Sequence, residues 1–382
     1  MNRKLRRNKI TEFRKEGMFD TMNRRQFALR GLAGFAALER TLAQSVLNGT
    51  NESPTPQNLA KLLPSPIPGP GPCGQLPELP RSVAKGVSER LLPGFSQQEV
   101  ASDGATIRFW TKGEGPPLLL IHGHPETHVT WHKVAPKLAE TYTVVLPDLR
   151  GYGDSSKPPY SPESENYSFR KMAEDQIAVM TKLGHQRFMV AGHDRGGRVV
   201  HRLCLDHPDA VIKASVLDIA PTLTMYNDTS KEFATKYVWW FLQIQPAPMP
   251  EHLISMDPVY YLRDHLAVQG KTPGAVTPDA MAEYIRCYSC TGTIRAVCED
   301  YRAAAGIDLA DDKASDAAGQ KIKAPLLALW GAKGTVGKLW DVIETWKARA
   351  SGPVTGRALR CGHLLPEEQP DEVLSEFQTF FV

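Results

Sequence analysis

Long apolar runs are missing from this 382-residue chain. The nearest approach, residues 29–38, is mild, carries Arg30, and falls far short of the ~20 residues that span a bilayer. No stable membrane anchor is expected. Cysteine is sparse as well: Cys73, Cys204, Cys287, Cys290, Cys298 and Cys361 are too scattered for a dense disulfide framework. Cys287-x-x-Cys290 lacks a second pair at zinc spacing, so no metal site is expected. The thiols read as structural, with an export-linked disulfide left open and its pairing unassigned. Positive charge is also short. The net charge is +3, yet residues 1–30 hold ten Lys/Arg against three acids, or +7, leaving −4 elsewhere. That distribution argues against a nucleic-acid partner. No internal repeat is visible.

What is present suits a globular protein, with 42% hydrophobic and 23% charged residues. Asn23-Arg24-Arg25-Gln26-Phe27 and the mild run after it resemble a twin-arginine export signal, assigned to residues 1–47. It implies a periplasmic or exported protein whose mature chain begins beyond about Ala43. A basic amphipathic N-terminal helix, with a cytoplasmic location, is the competing reading, since Glu39 and Arg40 spoil the tail. Residues 48–94 are rich in Pro, Gly, Ser and Asn and read as an extended linker. The folded part is expected to start near Phe95.

From there strands alternate with helices. Residues 99–100 and 106–110 predict a hairpin turning at Asp103-Gly104. A buried strand is expected at 117–121 and further strands at 143–147, 187–191, 212–219, 326–330 and 354–359, with helices at 131–140, 169–183, 199–207, 339–350 and 371–380. Continuous apolar strands in such an alternation mean an α/β fold with a mainly parallel sheet covered on both faces. The interval 222–320 breaks the rhythm and is helical and aromatic. It reads as a cap inserted between core segments 95–221 and 321–382, over the strand ends where α/β ligands bind.

At Gly192-His193-Asp194-Arg195-Gly196 the glycines flank an aspartate at ±2, the spacing of a nucleophile elbow. A side chain on a sharp strand-to-helix turn needs neighbours without Cβ atoms there. A carboxylate suits attack at an sp³ carbon, because the resulting alkyl ester can be hydrolysed at the enzyme's own carbonyl. A plain helix cap is the competing reading of Asp194. His363, directly after the last strand, is the candidate base, and Asp218, inside the apolar run 216–221, its orienting acid. Backbone N–H groups at His124 and Arg195 would form the oxyanion hole. The His124 side chain reads as pocket wall. Arg195 and Arg198 stand at i,i+3 on the helix after the elbow, where guanidinium forks could clamp a carboxylate.

From about Phe95 onward the chain resembles the fluoroacetate (haloacetate) dehalogenases, a branch of the α/β-hydrolases beside epoxide hydrolases and haloalkane dehalogenases. The resemblance is carried by the stretch 192–198 just quoted, by Val216-Leu217-Asp218-Ile219-Ala220-Pro221-Thr222 and by Gln245-Pro246-Ala247-Pro248. Cys298-Glu299-Asp300-Tyr301-Arg302 and Gly362-His363-Leu364-Leu365-Pro366-Glu367-Glu368 complete it. It implies Asp194 as nucleophile, Asp218–His363 as the water-activating pair, Arg195 and Arg198 as the carboxylate clamp, and Trp240 and Tyr301 as halide donors. Defluorinating members carry histidine before the lid tryptophan. Trp239 stands there here, as a bulkier halide ligand that favours chloro- and bromo-acids over fluoro-acids.

The reading is therefore hydrolysis of a small anionic 2-haloacid by water, with no cofactor or metal; a homodimer is left open. Its rivals are an epoxide hydrolase with the same triad, using Tyr237 and Tyr301, and a non-catalytic ligand-binding relative.

Overall fold

The computed structural model describes residues 86–382. The assigned leader and nearly all of the linker lie outside the described residues. Packing begins slightly before Phe95. A short helix, Val87–Leu91, buries Val87, and Leu92 after it is also buried, so these apolar residues belong to the folded part and not to the linker.

Eight strands form one sheet: β1 (Ser96–Ser102), β2 (Ala105–Lys112), β3 (Pro117–Ile121), β4 (Thr143–Pro147), β5 (Phe188–His193), β6 (Val211–Leu217), β7 (Leu326–Gly331) and β8 (Val354–Leu359). Their order is β1-β2-β4-β3-β5-β6-β7-β8. β1 and β2 pair antiparallel, as do β2 and β4; every other pairing is parallel. Leu118–Ile121, Val144–Leu146 and the whole of β5 are buried, as continuous apolar strands covered on both faces require. The expected α/β sheet is present.

Two expected helices come out shorter. In place of 131–140 there is a 3₁₀ turn, His128–Trp131, then Ala135–Leu138, which starts with Pro136 in its first turn. The stretch 339–350 is split into Val336–Leu339 and Val342–Lys347, because Asp341 accepts the Glu344 N–H at 3.1 Å and caps a fresh start.

Between β6 and β7 runs a series of helices, from Thr222–Asn227 to Ile307–Ala317. Their side chains meet the C-terminal ends of the central strands. His265 lies 4.8 Å from His124 (ring centroids), the Trp240 ring covers the Arg198 guanidinium at 4.6 Å, and Asp300 binds Arg195. Of the cysteines here, Cys204, Cys287, Cys298 and Cys361 are free thiols and Cys290 is disulfide-bonded.

Candidate active site

β5 ends at His193 and the helix Arg195–Asp206 begins one residue later, leaving Asp194 alone at the turn with φ 47° and ψ −113°. A non-glycine residue in that region costs on the order of 1–3 kcal/mol and persists only when its surroundings enforce it. Here the neighbours do so. A Cβ on Gly192 would stand 2.3 Å from the Gly196 carbonyl oxygen, and one on Gly196 would stand 2.5 Å from those of Ile121 and His122. Gly123, from the loop after β3, passes so close that a Cβ there would meet the Asp194 Cβ at 2.5 Å. Strand, loop and helix thus share one tight junction, and alanine at any of these glycines would force them apart.

The junction brings the expected triad together. His363 Nδ1 lies 2.6 Å from Asp218 Oδ2, and its Nε2 faces Asp194 Oδ2 across 3.6 Å. Asp218 sits just past β6, where its other oxygen accepts the Gly331 N–H at 2.8 Å. The His124 N–H donates to Asp194 Oδ1 at 3.0 Å, so that backbone donor sits at the Asp194 carboxylate. Burial alone would raise the Asp194 carboxyl. Electrostatic interactions with His363, Arg198, His193 and Arg195 outweigh it and hold the group well below the usual carboxylate range. Asp194 is therefore an anion at neutral pH.

Arg195 and Arg198 both lie at this site, but they are not equivalent. Asp300 grips Arg195, taking Nε at 2.9 Å on one carboxylate oxygen and Nη2 on the other, while the Phe169 and Tyr301 rings cover its guanidinium. Only Nη1 is left without a partner. Arg198 has no carboxylate hydrogen-bonded to it among the described residues. It donates to Thr222 Oγ1 at 2.9 Å and the Ala220 carbonyl at 3.4 Å, and its Nε is unpaired. The expected clamp is thus one guanidinium gripped by Asp300 and one with no hydrogen-bonded carboxylate among the described residues.

Trp240 and Tyr301 are buried, with ring centroids 6.2 Å apart above the two arginines, and the Trp240 indole N–H has no partner. Trp239 does not join them. Its ring rests on His265 at 4.4 Å and Tyr237 at 5.3 Å, because successive helical residues point about 100° apart. It walls a cavity of about 360 Å³ that reaches the triad from the Asp218–His363 side, bounded also by His265, Tyr261 and Gln269.

Three supports were not singled out from the sequence. Glu368 accepts the Gly362 and Leu364 N–H groups, both at 3.0 Å, and so fixes the loop carrying His363. Asp300 neutralises Arg195. His193 donates from Nε2 to the His363 carbonyl at 2.7 Å, with its Nδ1 2.8 Å from Glu126. Burial would depress the His193 imidazole, but Glu126 and the neighbouring Asp194 raise it to about 9. A pKa raised on folding adds stability that is complete below the ordinary value near 6.5 and disappears as pH climbs through 9. The melting temperature should therefore fall by roughly 5 °C between pH 7 and pH 9.5. In Glu126→Gln that slope should flatten; equal slopes in calorimetric scans of the two proteins would contradict the assignment.

Residues 116–247 match the family described as alpha/beta hydrolase fold. The chain is 39% identical over 291 residues to a fluoroacetate dehalogenase of Burkholderia sp, covering 75% of this chain and 95% of that protein. It is 33% identical over 291 residues to a soluble epoxide hydrolase of Corynebacterium sp., covering 75% and 97% respectively. A crystal structure from Nostoc sp PCC 7120, described as an alpha/beta hydrolase, superposes with a TM-score of 0.74 at 53% identity, covering 76% of this chain and 98% of that one. The chain belongs to the α/β-hydrolase family of enzymes and is related to fluoroacetate dehalogenase and the epoxide hydrolases.

Proposed function

We propose that this hydrolase cleaves the carbon–halogen bond of a small 2-haloacid through an aspartyl ester. The observation that carries the reading is Arg198, a buried guanidinium without a bound carboxylate, one helical turn from an ionised Asp194. A substrate carboxylate would supply the missing anion and hold the halogenated carbon beside the nucleophile.

The Asp194 oxygen attacks that carbon from behind. The new C–O bond forms as the carbon–halogen bond breaks, and the electron pair leaves on the halide. Trp240 Nε1–H and the Tyr301 hydroxyl receive the halide. His363 Nε2 then removes a proton from water, and the resulting hydroxide attacks the Asp194 carboxyl carbon. The His124 and Arg195 N–H groups hold the oxyanion, Asp218 stabilises the imidazolium, and collapse releases the 2-hydroxy acid.

An epoxide hydrolase is the second reading. It is favoured by Tyr237 and Tyr301, two buried phenols that keep their protons at neutral pH and could donate hydrogen bonds to an epoxide oxygen. Under that reading Arg198 has no task. Halide release from chloro-, bromo- and fluoroacetate, set against diol formation from styrene oxide, separates the two. Wild type should release chloride and bromide, and Arg198→Ala should lower kcat/KM for chloroacetate by on the order of 10². Diol formation without halide release, or an unaffected Arg198→Ala, would reverse the assignment.

A further inference from the structure

Unsatisfied polar atoms also gather around His124, in the loop after β3. His124 is buried with both ring nitrogens unpartnered, although its own N–H is bonded to the Asp194 carboxylate. Its ring lies edge-on to His265 at 4.8 Å and to Tyr288 at 5.7 Å. His265 Nε2 and the Tyr288 hydroxyl are buried and unpartnered too, and His265 forms part of the wall of the cavity that reaches His363. A buried polar group left without a partner is destabilising. Orphans from the loop after β3 and from two cap helices, Pro258–Gln269 and Pro278–Tyr288, converging on one spot therefore point to a ligand group.

From this convergence, and resting on the haloacid reading, we infer that the preferred substrate carries a neutral hydroxyl on the carbon next to the halogenated one, held by His124 and His265. Burial decides the character of that group. It pushes the His124 imidazole well below its ordinary value, helped by His265, and takes His265 down to about 3. Both rings are thus neutral at physiological pH; the two unpartnered nitrogens of His124 are one N–H donor and one acceptor, and His265 Nε2 adds a third site that donates or accepts according to its tautomer. A hydroxyl, which both donates and accepts, satisfies such a pair. A second carboxylate would meet two neutral rings with no charge to offset its desolvation. The polarity of the site then runs from carboxylate at Arg198, through the reacting carbon at Asp194, to hydroxyl at His124 and His265.

Binding without chemistry tests this independently of turnover. Calorimetry on the full chain should show 3-hydroxypropanoate binding roughly tenfold tighter than propanoate, the worth of one or two net hydrogen bonds. In His265→Leu the ratio of the two dissociation constants should collapse towards one, and His265→Gln, which keeps a donor and an acceptor, should restore part of it. Equal binding of the two acids by wild type, binding of neither, or a ratio unchanged in His265→Leu would overturn the inference. Chloride release from chloroacetate decides the haloacid reading separately.

Discussion

Asp194→Asn is expected to abolish halide release while leaving the fold intact. The native carboxylate is ionised, held low by its electrostatic environment, and in the proposed reaction that charge attacks carbon. An amide of the same shape carries no charge and is a poor nucleophile towards an sp³ centre. Removing a covalent nucleophile costs roughly 10⁴–10⁶ in kcat. The loss should appear as chloride release below detection with chloroacetate. Stability should change little, because asparagine tolerates a positive φ about as well as aspartate. The His124 N–H can still donate, now to the amide oxygen. Two measurements decide the matter together: an ion-selective electrode for chloride and a thermal melt. A variant melting like wild type and retaining even a tenth of its rate would remove Asp194 from the covalent step.

The same residue shows why part of the site was legible beforehand. The paired glycines at 192 and 196 follow from backbone crowding around one φ value, so the spacing announces the turn. Asp218 stood out because an acid inside an apolar run demands a partner, and His363 because it directly follows the last strand. Each is a local oddity that only a distant partner explains. The supports left no comparable trace. Asp300 lies 105 residues from Arg195 along the chain and looks like any acid on a helix rich in charge. Glu368 acts by capping backbone N–H groups, a task many acids perform. The inequality of the two arginines was likewise hidden, since both fit the same i,i+3 pattern and only the cap shows which one is already neutralised. Trp239 beside Trp240 suggested two halide ligands, yet helical geometry sends their rings to different walls.

His363→Asn should separate the two halves of the reaction. Displacement of halide by Asp194 needs no base, so one equivalent of chloride per site should still appear as a burst. Hydrolysis of the ester does need one. His363 Nε2 faces Asp194 across 3.6 Å while Nδ1 is fixed by Asp218, an arrangement that serves a water at the carboxyl carbon better than it serves the first attack. Loss of general-base help slows such a step by roughly 10²–10⁴. Intact-protein mass spectrometry after mixing with chloroacetate should therefore find the chain heavier by one carboxymethyl group, and peptide fragmentation should place it on Asp194. Hydroxylamine, which cleaves esters, should remove it. The outcome also bears on the rival chemistries. An epoxide hydrolase would show no adduct with chloroacetate but would trap a hydroxyalkyl ester with styrene oxide, and a binding protein would show neither. Steady turnover in His363→Asn at the wild-type rate, with no adduct, would mean that water is activated by some other group and that the contact with Asp218 serves structure alone.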